Sequence, residues 1–590
     1  MLRLNEIQLK DKELFVYNYI RAENAADGSL MDANANVSSK NIATLEAEIN
    51  KDINIQINRK LVSQKIKQLF SEELSHEYIR QIEEHEIYVH DETSLKPYCV
   101  SVTMYPLLID GLKKLGGESL APKHLASYCG SFVNFVFAVS SQFAGAVATV
   151  EFLTYFDHFA RKEFGDNYLF TNESKIENYF QQVVYSLNQP AAARGYQSVF
   201  WNISIYDQFY FESVFKDFVF PDGDIPCWKT VKLLQKKFLT WFNEERQRAL
   251  LTFPVVTVAM LTAKSEVRDK EQLEFCASEL EKGNSFFIYL SENADSLASC
   301  CRLRSEVAEN SFSYSLGAGG VATGSINVIT INMNRLIQDQ RDLKTEINKI
   351  QNYQIAYRKL MEEFLTAKLL TIYDAGFINI NKQYLTIGIN GMVEAAEYLG
   401  YQIDNNHEYK SFLASQLKII YDLNRTRSKE TGYMFNTEFV PAENLGVKNS
   451  YWDFKDGYQV SRDCYNSYFY IVENEEYNPL MKFELHGKEV IQYLDGGSAL
   501  HLNLDEILTK EQYQKIINYA AFTGCNYFCT NVKSTVCNEC GHISKYTLEN
   551  CEKCNSENID YATRVIGYLK KISSFSRERQ KEHSIRFYHP

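Results

Sequence analysis

Several things are missing from this sequence, and each absence narrows what it can be. The opening segment MLRLNEIQLKDKELF is charged throughout, so it lacks the apolar centre of a secretion signal. No uninterrupted membrane-length run is present either. The longest apolar stretch, residues 131–156, is broken by Asn134, Ser140, Ser141, Gln142 and Glu151, which fits a buried helix pair better than a span. An excess of basic charge is also absent: 62 Lys and Arg against 75 Asp and Glu give a net charge of −13. A surface that coats nucleic acid is thereby disfavoured, and a phosphate-bearing ligand has to be held by helix N-termini and single Arg or Lys side chains. There is no short repeat and no low-complexity block. Thirteen cysteines without a signal segment point to a reducing compartment, the cytoplasm, with thiols or metal ligands rather than disulfides.

What is present is a large globular composition: 590 residues, 45% hydrophobic and 23% charged. Residues 1–38 read as a short arm ending in the turn-rich ADGSLMDANANVSS. Helical periodicity follows, with Ser75 as a candidate N-cap in SHEYIRQIEEHE. From there strand-like runs (YCVSVTMYPLL, TFPVVTVAML, SFFIYL, INVITINM, YLTIGI, YMFNTEF, CNYFCT) alternate with long amphipathic patterns, notably Leu336 to Tyr373 and Glu408 to Arg427. Such alternation predicts α/β architecture with largely parallel strands over residues 39–531. The pattern breaks near Val532, so residues 532–590 read as a distinct C-terminal module.

That module holds the sharpest motif, CNECGHISKYTLENCEKC. Cys537 and Cys540 form one C-x-x-C pair, Cys551 and Cys554 another, with a short polar hairpin between them. Two such knuckles offer four thiolates at tetrahedral spacing, and filling all four positions with sulfur closes the site to water, so zinc here is expected to be structural. Four free thiols are the alternative. Cys300 and Cys301 lie on a loop after a predicted strand, in SLASCCRL; two small buried apolar residues would explain them equally. Cys99 follows the His90–Asp91 pair in YVHDETSLKPYC. Cys525 and Cys529 alternate onto one face of a predicted strand, where core thiols are the default. Gly496–Gly497 offers either a close approach to phosphate or an ordinary turn. Near the end, DYATRVIGYLKKISSFS sets Gly567 inside an apolar run, where glycine loses packing and adds chain entropy.

Taken together, these pieces resemble the glycyl radical enzymes, and among them the anaerobic (class III) ribonucleoside-triphosphate reductases. The resemblance rests on RVIGYL, the cysteine knuckles just before it, YVHD followed by YC, the Cys–Arg of CCRL, and PAENL at 441–445. It runs from about residue 40 onward. It implies a ten-stranded α/β barrel of two parallel half-sheets with surrounding helices, and a zinc-ribbon-like C-terminal module. It implies a glycyl radical on Gly567, formed by an activase that itself carries a 4Fe-4S cluster and S-adenosylmethionine. The radical would pass to a thiyl at Cys301, the cysteine before Arg, with Cys300 as the fallback. Cys99 would then serve as the reducing thiol as ribonucleoside triphosphates become 2′-deoxyribonucleoside triphosphates. A homodimer and nucleotide effectors go with the family.

The residue types suit that chemistry. A Cα radical is stabilised by donation from the amide nitrogen and withdrawal by the carbonyl, provided the centre becomes planar, and a Cβ would crowd it. Two departures from the family pattern stand out. Formate-using members carry Asn in the strand after the thiyl loop, where this chain aligns Ser325, with Asn327 two residues on. A redoxin therefore stands beside formate as reductant, and Glu438 becomes a candidate acid/base group near the 2′-hydroxyl. Ser325, Asn327, Glu438 and His90 complete the candidate substrate-binding set. The second departure is the short arm, which leaves no room for an intact ATP cone. The rival readings are another glycyl radical enzyme, of formate-lyase or dehydratase type, and a zinc-ribbon nucleic-acid-binding protein.

Overall fold

Runs rich in β-branched and aromatic residues become strands, and the long connections between them return each strand in the same direction. A computed structural model of the chain describes residues 4–26, 29, 40–191, 196–294, 296–298, 304–306, 322–439, 444–564 and 567–590. Ten strands form its centre: β1 (Cys99–Ser101), β2 (Val147–Ala148), β3 (Trp201–Tyr206), β4 (Val255–Ala263), β5 (Phe287–Ser291), β6 (Thr323–Asn332), β7 (Gln383–Asn390), β8 (Met434–Glu438), β9 (Leu500–Leu504) and β10 (Tyr527–Val532). Strands β1 to β5 pair in parallel in chain order. In the second half β6, β7 and β8 pair in parallel, as do β9 and β10. The halves meet antiparallel, β1 against β6 and β5 against β10. A parallel bridge from Glu438 to Gly497, just ahead of β9, closes the ring. The expected barrel of two parallel half-sheets is therefore what the chain builds. Two short strands hang off it, Ile87–Val89 on β6 and Glu266–Val267 on β4.

The closure explains the paired glycines. A Cβ on Gly496 would lie 2.7 Å from the Thr437 carbonyl oxygen, so only glycine lets this segment approach β8. Gly496 N–H then donates to that oxygen at 2.8 Å, and Phe439 N–H donates to the Gly497 carbonyl at 3.2 Å. The glycine pair serves the backbone of β8, not a phosphate.

Helices cover the barrel. α1 (Glu6–Arg21) occupies what reads as an arm; Asn5 and Gln8 form a capping box at its start, and Tyr19 donates to Thr44 at 2.5 Å. The long apolar stretch becomes the end of α2 (Leu125–Gln142), strand β2 and the start of α3 (Phe152–Phe164). Phe132 of α2 packs on Phe152 at 4.5 Å and on Trp201 of β3 at 5.6 Å, which explains the hydrophobicity without a membrane. Among the described residues no helix is long and apolar enough to cross one. α4 (Leu343–Thr366) and α5 (His407–Thr431) are joined by a polar thread: Gln351 donates to Asn424, and Asn424 donates to Thr437 of β8, each at 2.9 Å. One expected cap is corrected. Helix Glu72–Glu83 is capped by Ser71, whose hydroxyl accepts from Leu74 N–H, and Ser75 lies inside the helix facing Ser63. Likewise Cys529 lies on β10, whereas Cys525 precedes the strand.

Beyond β10 the chain forms a small antiparallel sheet from β11 (Ser534–Cys537), β12 (Ile543–Ser544), β13 (Ile559–Thr563) and β14 (Lys570–Lys571), in the order β12-β11-β13-β14. Helix α6 (Arg577–Ile585) follows, where Glu582 is buried between Arg579 and Arg586. The last residues return to the barrel, His589 bridging Leu504 of β9.

Candidate active site

Strand alternation sorts the barrel side chains into two sets. On β8, Thr437 meets α5 outside, so Asn436 and Glu438 face inward. On β3, Trp201 packs outward on the helices, so Asn202 and Ser204 face inward. Several inward polar atoms have no partner among the described residues: the hydroxyls of Ser101 and Ser204, and both amide atoms of Asn436, which is fully buried. Buried polar atoms are normally hydrogen-bonded, so such a lining suits a ligand rich in hydroxyls. Asn436 carries no motif and escapes a sequence reading.

Cys99 lies on β1, buried, and its Sγ accepts from Ala146 N–H at 3.2 Å. A Cβ on Gly145 would sit 2.4 Å from that sulfur, so glycine makes the room for it. Cys99 stands directly opposite Ser325 across the antiparallel junction of the half-sheets. The Ser325 hydroxyl is shared with Thr386 at 2.8 Å and lies 3.2 Å from the Asn327 carbonyl oxygen. A bulge separates Ser325 from Asn327: Ser325 is level with Tyr384 but Asn327 with Leu385, so the two do not fall into one row as simple alternation suggests. Glu438 is buried at the closing bridge. His90 is held against β6: its N–H donates to the Val328 carbonyl at 3.0 Å, and its ring Nε2 hydrogen-bonds Thr330 at 2.8 Å. These contacts hold His90 against the barrel wall. Cys300 and Cys301 lie outside the described residues, as do residues 441–443.

Gly567 is found at the tip of a hairpin. β13 and β14 pair Thr563 with Lys570, and Tyr568 between them packs on the barrel side. Gly567, Tyr568 and Leu569 lie outside any strand. Its anchor is Asn531 on β10, whose amide exchanges two hydrogen bonds with the Arg564 backbone, each at 3.0 Å, and accepts from Thr563 at 2.9 Å. Tyr568 packs edge-on to Phe200 at 5.2 Å, and Phe253 lies 5.8 Å from it. Phe200 also packs against the small cluster of Cys99 and Ala146. One aromatic ring therefore connects the surroundings of Cys99 to the residue after Gly567.

The four knuckle cysteines converge, their sulfurs all within 4.8 Å of one another. Cys537 to Cys554 and Cys540 to Cys551 are each 3.6 Å. A tetrahedral Zn–S₄ centre has S···S edges of about 3.8 Å, so the set fits zinc. The Cys554 and Lys553 amides help hold the Cys551 thiol down at about 6, favouring the thiolate a metal requires.

Known proteins agree with this geometry. The family model for anaerobic ribonucleoside-triphosphate reductase matches residues 46–589. No curated protein sequence matches significantly. Among solved structures, an anaerobic ribonucleotide reductase superposes with a TM-score of 0.86 at 26% identity, covering 99% of this chain and 93% of that one. The Thermotoga maritima anaerobic ribonucleotide reductase in complex with dATP and CTP gives 0.82 at 26% identity, over 98% and 99% of the two chains. The same enzyme with dATP bound in the specificity site gives 0.82 at 26%, over 98% and 100%. Barrel, cysteine knuckles and family match coincide over nearly the whole length: the chain belongs to the anaerobic ribonucleoside-triphosphate reductases, and is an oxidoreductase of ribonucleotide reduction.

Proposed function

We propose that this chain reduces ribonucleoside triphosphates with Gly567 as the radical site, Cys301 as the thiyl (Cys300 failing that) and Cys99 as the reducing thiol. The observation that carries the reading is the packing of Tyr568, next to Gly567, on Phe200, the ring that also packs on the Cys99–Ala146 cluster. A radical SAM activase takes a hydrogen atom from the Gly567 Cα, and the radical moves to the cysteine sulfur. The thiyl then takes the ribose 3′-hydrogen. Cys99 supplies hydrogen from the other face as the 2′-hydroxyl leaves as water, with Glu438 as its acid/base partner. Thiol and ribose C–H bonds are close enough in strength for the first transfer to be reversible. The unpartnered hydroxyls of Ser101 and Ser204 and the Asn436 amide bind the ribose.

Cys537, Cys540, Cys551 and Cys554 hold a structural zinc that fixes the knuckles beneath the glycine hairpin. With Ser325 opposite Cys99, a redoxin is a reductant beside formate, and substrate choice is tuned by nucleotides bound to a homodimer. The test is spectroscopic. Anaerobic incubation with activase, S-adenosylmethionine and a reductant yields a glycine-centred EPR doublet, and air then cleaves the chain at Gly567. Gly567→Ala abolishes both while the fold is kept. Absence of both signals in the wild type, with activase turnover confirmed, rejects the assignment.

A further inference from the structure

Arg564 is fully buried, and where its guanidinium goes is unusual. Nη1 donates to the carbonyl oxygen of Gly567 at 3.1 Å. Nε and Nη2 donate to the hydroxyl and carbonyl of Ser285, at 3.0 and 3.2 Å. The same Ser285 carbonyl accepts from Arg246 at 2.9 Å, and Arg246 is also buried. Phe287 lies under the Arg564 guanidinium at 5.0 Å. Among the described residues neither arginine meets a carboxylate. Burial pulls both guanidiniums below their ordinary value.

A buried cation without an anion is costly, and a fold keeps one where its field does something. Here the field and one N–H act on a single carbonyl, that of Gly567. A charge-assisted hydrogen bond makes a carbonyl a stronger electron acceptor. In a Cα radical the carbonyl is the withdrawing partner of the captodative pair, so the contact strengthens withdrawal at the centre where spin resides. It also holds the carbonyl in one orientation, which helps keep the flanking peptide planes coplanar with the radical. Ser285 and Phe287, on the approach to β5 and on the strand itself, fix the guanidinium from the barrel side.

We propose that Arg564 is the positioning residue of the radical centre, orienting and polarising the Gly567 carbonyl so that the Cα–H bond weakens and the radical persists. The inference rests on the reading of Gly567 as the radical site. In the step concerned the Cα–H bond breaks homolytically. The hydrogen atom passes to the carbon-centred radical generated by the activase, and the unpaired electron stays on Cα with no change of charge.

The experiment uses the full chain, labelled with carbonyl-¹³C glycine and activated anaerobically with limiting activase. In Arg564→Met the initial rate of radical formation falls about tenfold, the size of one lost charge-assisted hydrogen bond, and the carbonyl-¹³C hyperfine coupling shrinks. Arg564→Lys, which keeps the charge and one donor, recovers most of both. Ser285→Ala loosens the guanidinium without unbalancing the buried charge, and shifts the coupling in the same direction; it carries the test if Arg564→Met does not fold. A merely structural arginine would leave the coupling unchanged in whatever radical still forms. A wild-type doublet with the same formation rate and coupling in folded Arg564→Met and Ser285→Ala overturns this inference alone. No doublet in the wild type overturns it together with the Gly567 assignment.

Discussion

At the scale of single residues, the site combines side chains the sequence announces with others it hides. Asn436 is hidden: an asparagine in a strand-like run gives no motif, and its importance lies in being buried with both amide atoms unpartnered among the described residues. Such an amide is a burden on folding and an asset to binding. Asn436→Ala is therefore expected to lower kcat/KM by about tenfold while leaving the melting temperature unchanged or higher. Turnover assays beside thermal melts check both halves, and a parallel loss of stability and activity would mark a structural amide instead. The convergence of the knuckle cysteines was legible because their spacing is local, and Cys99 and Gly567 enter the proposal because short phrases carry them. Arg564 stands inside a quoted motif, yet its task depends on Ser285, which is distant in sequence and near only in the folded barrel. His90, a candidate from its neighbourhood in the sequence, makes contacts with Val328 and Thr330 of the wall.

At the scale of elements, alternation of strands and helices was legible because burial on both strand faces leaves long apolar runs. β2 was not, since Val147 and Ala148 are too few to show any period, and the run around them reads as helix. The bulge in β6 was equally invisible, and it is what separates Ser325 from Asn327. The cysteine knuckles act as an element of their own, because β13 leads from them directly into Arg564 and the glycine hairpin. Cys551→Ser is expected to remove the bound zinc, measured by elemental analysis, and to open the segment 537–554 to proteolysis. Far-UV circular dichroism of the barrel should change little, since the ten strands precede the module. Radical yield should fall with the metal, because the hairpin loses its footing. Metal loss with undiminished radical would separate the knuckles from the glycine loop.

At the scale of the whole molecule, the barrel closes at a narrow seam. Strands β8 and β9 touch through the Glu438–Gly497 bridge and the approach that Gly496 permits, whereas each of the other junctions has two or more paired residues on each strand. Gly496→Ala would place a Cβ against the Thr437 carbonyl. It is expected to cost about 2 kcal/mol or more by denaturant unfolding, and to reduce activity as Glu438 shifts. Full stability in that variant would show that the seam yields more easily than its geometry suggests. Closure itself could not be read from the sequence, because paired glycines serve turns, phosphates and close strands alike.

The position of the glycine hairpin has a consequence for how the protein is born. Every barrel strand lies upstream of the loop 564–569, and the stretch that returns to β9 through His589 lies downstream of it. As the chain leaves the ribosome, the barrel strands can all be made before Gly567 has been synthesised. Translation that stops after β10 leaves every strand of the wall and Cys99 but not Gly567, the proposed radical site. On the proposed assignment such a fragment is inert, because the radical site arrives only with the segment that returns to β9.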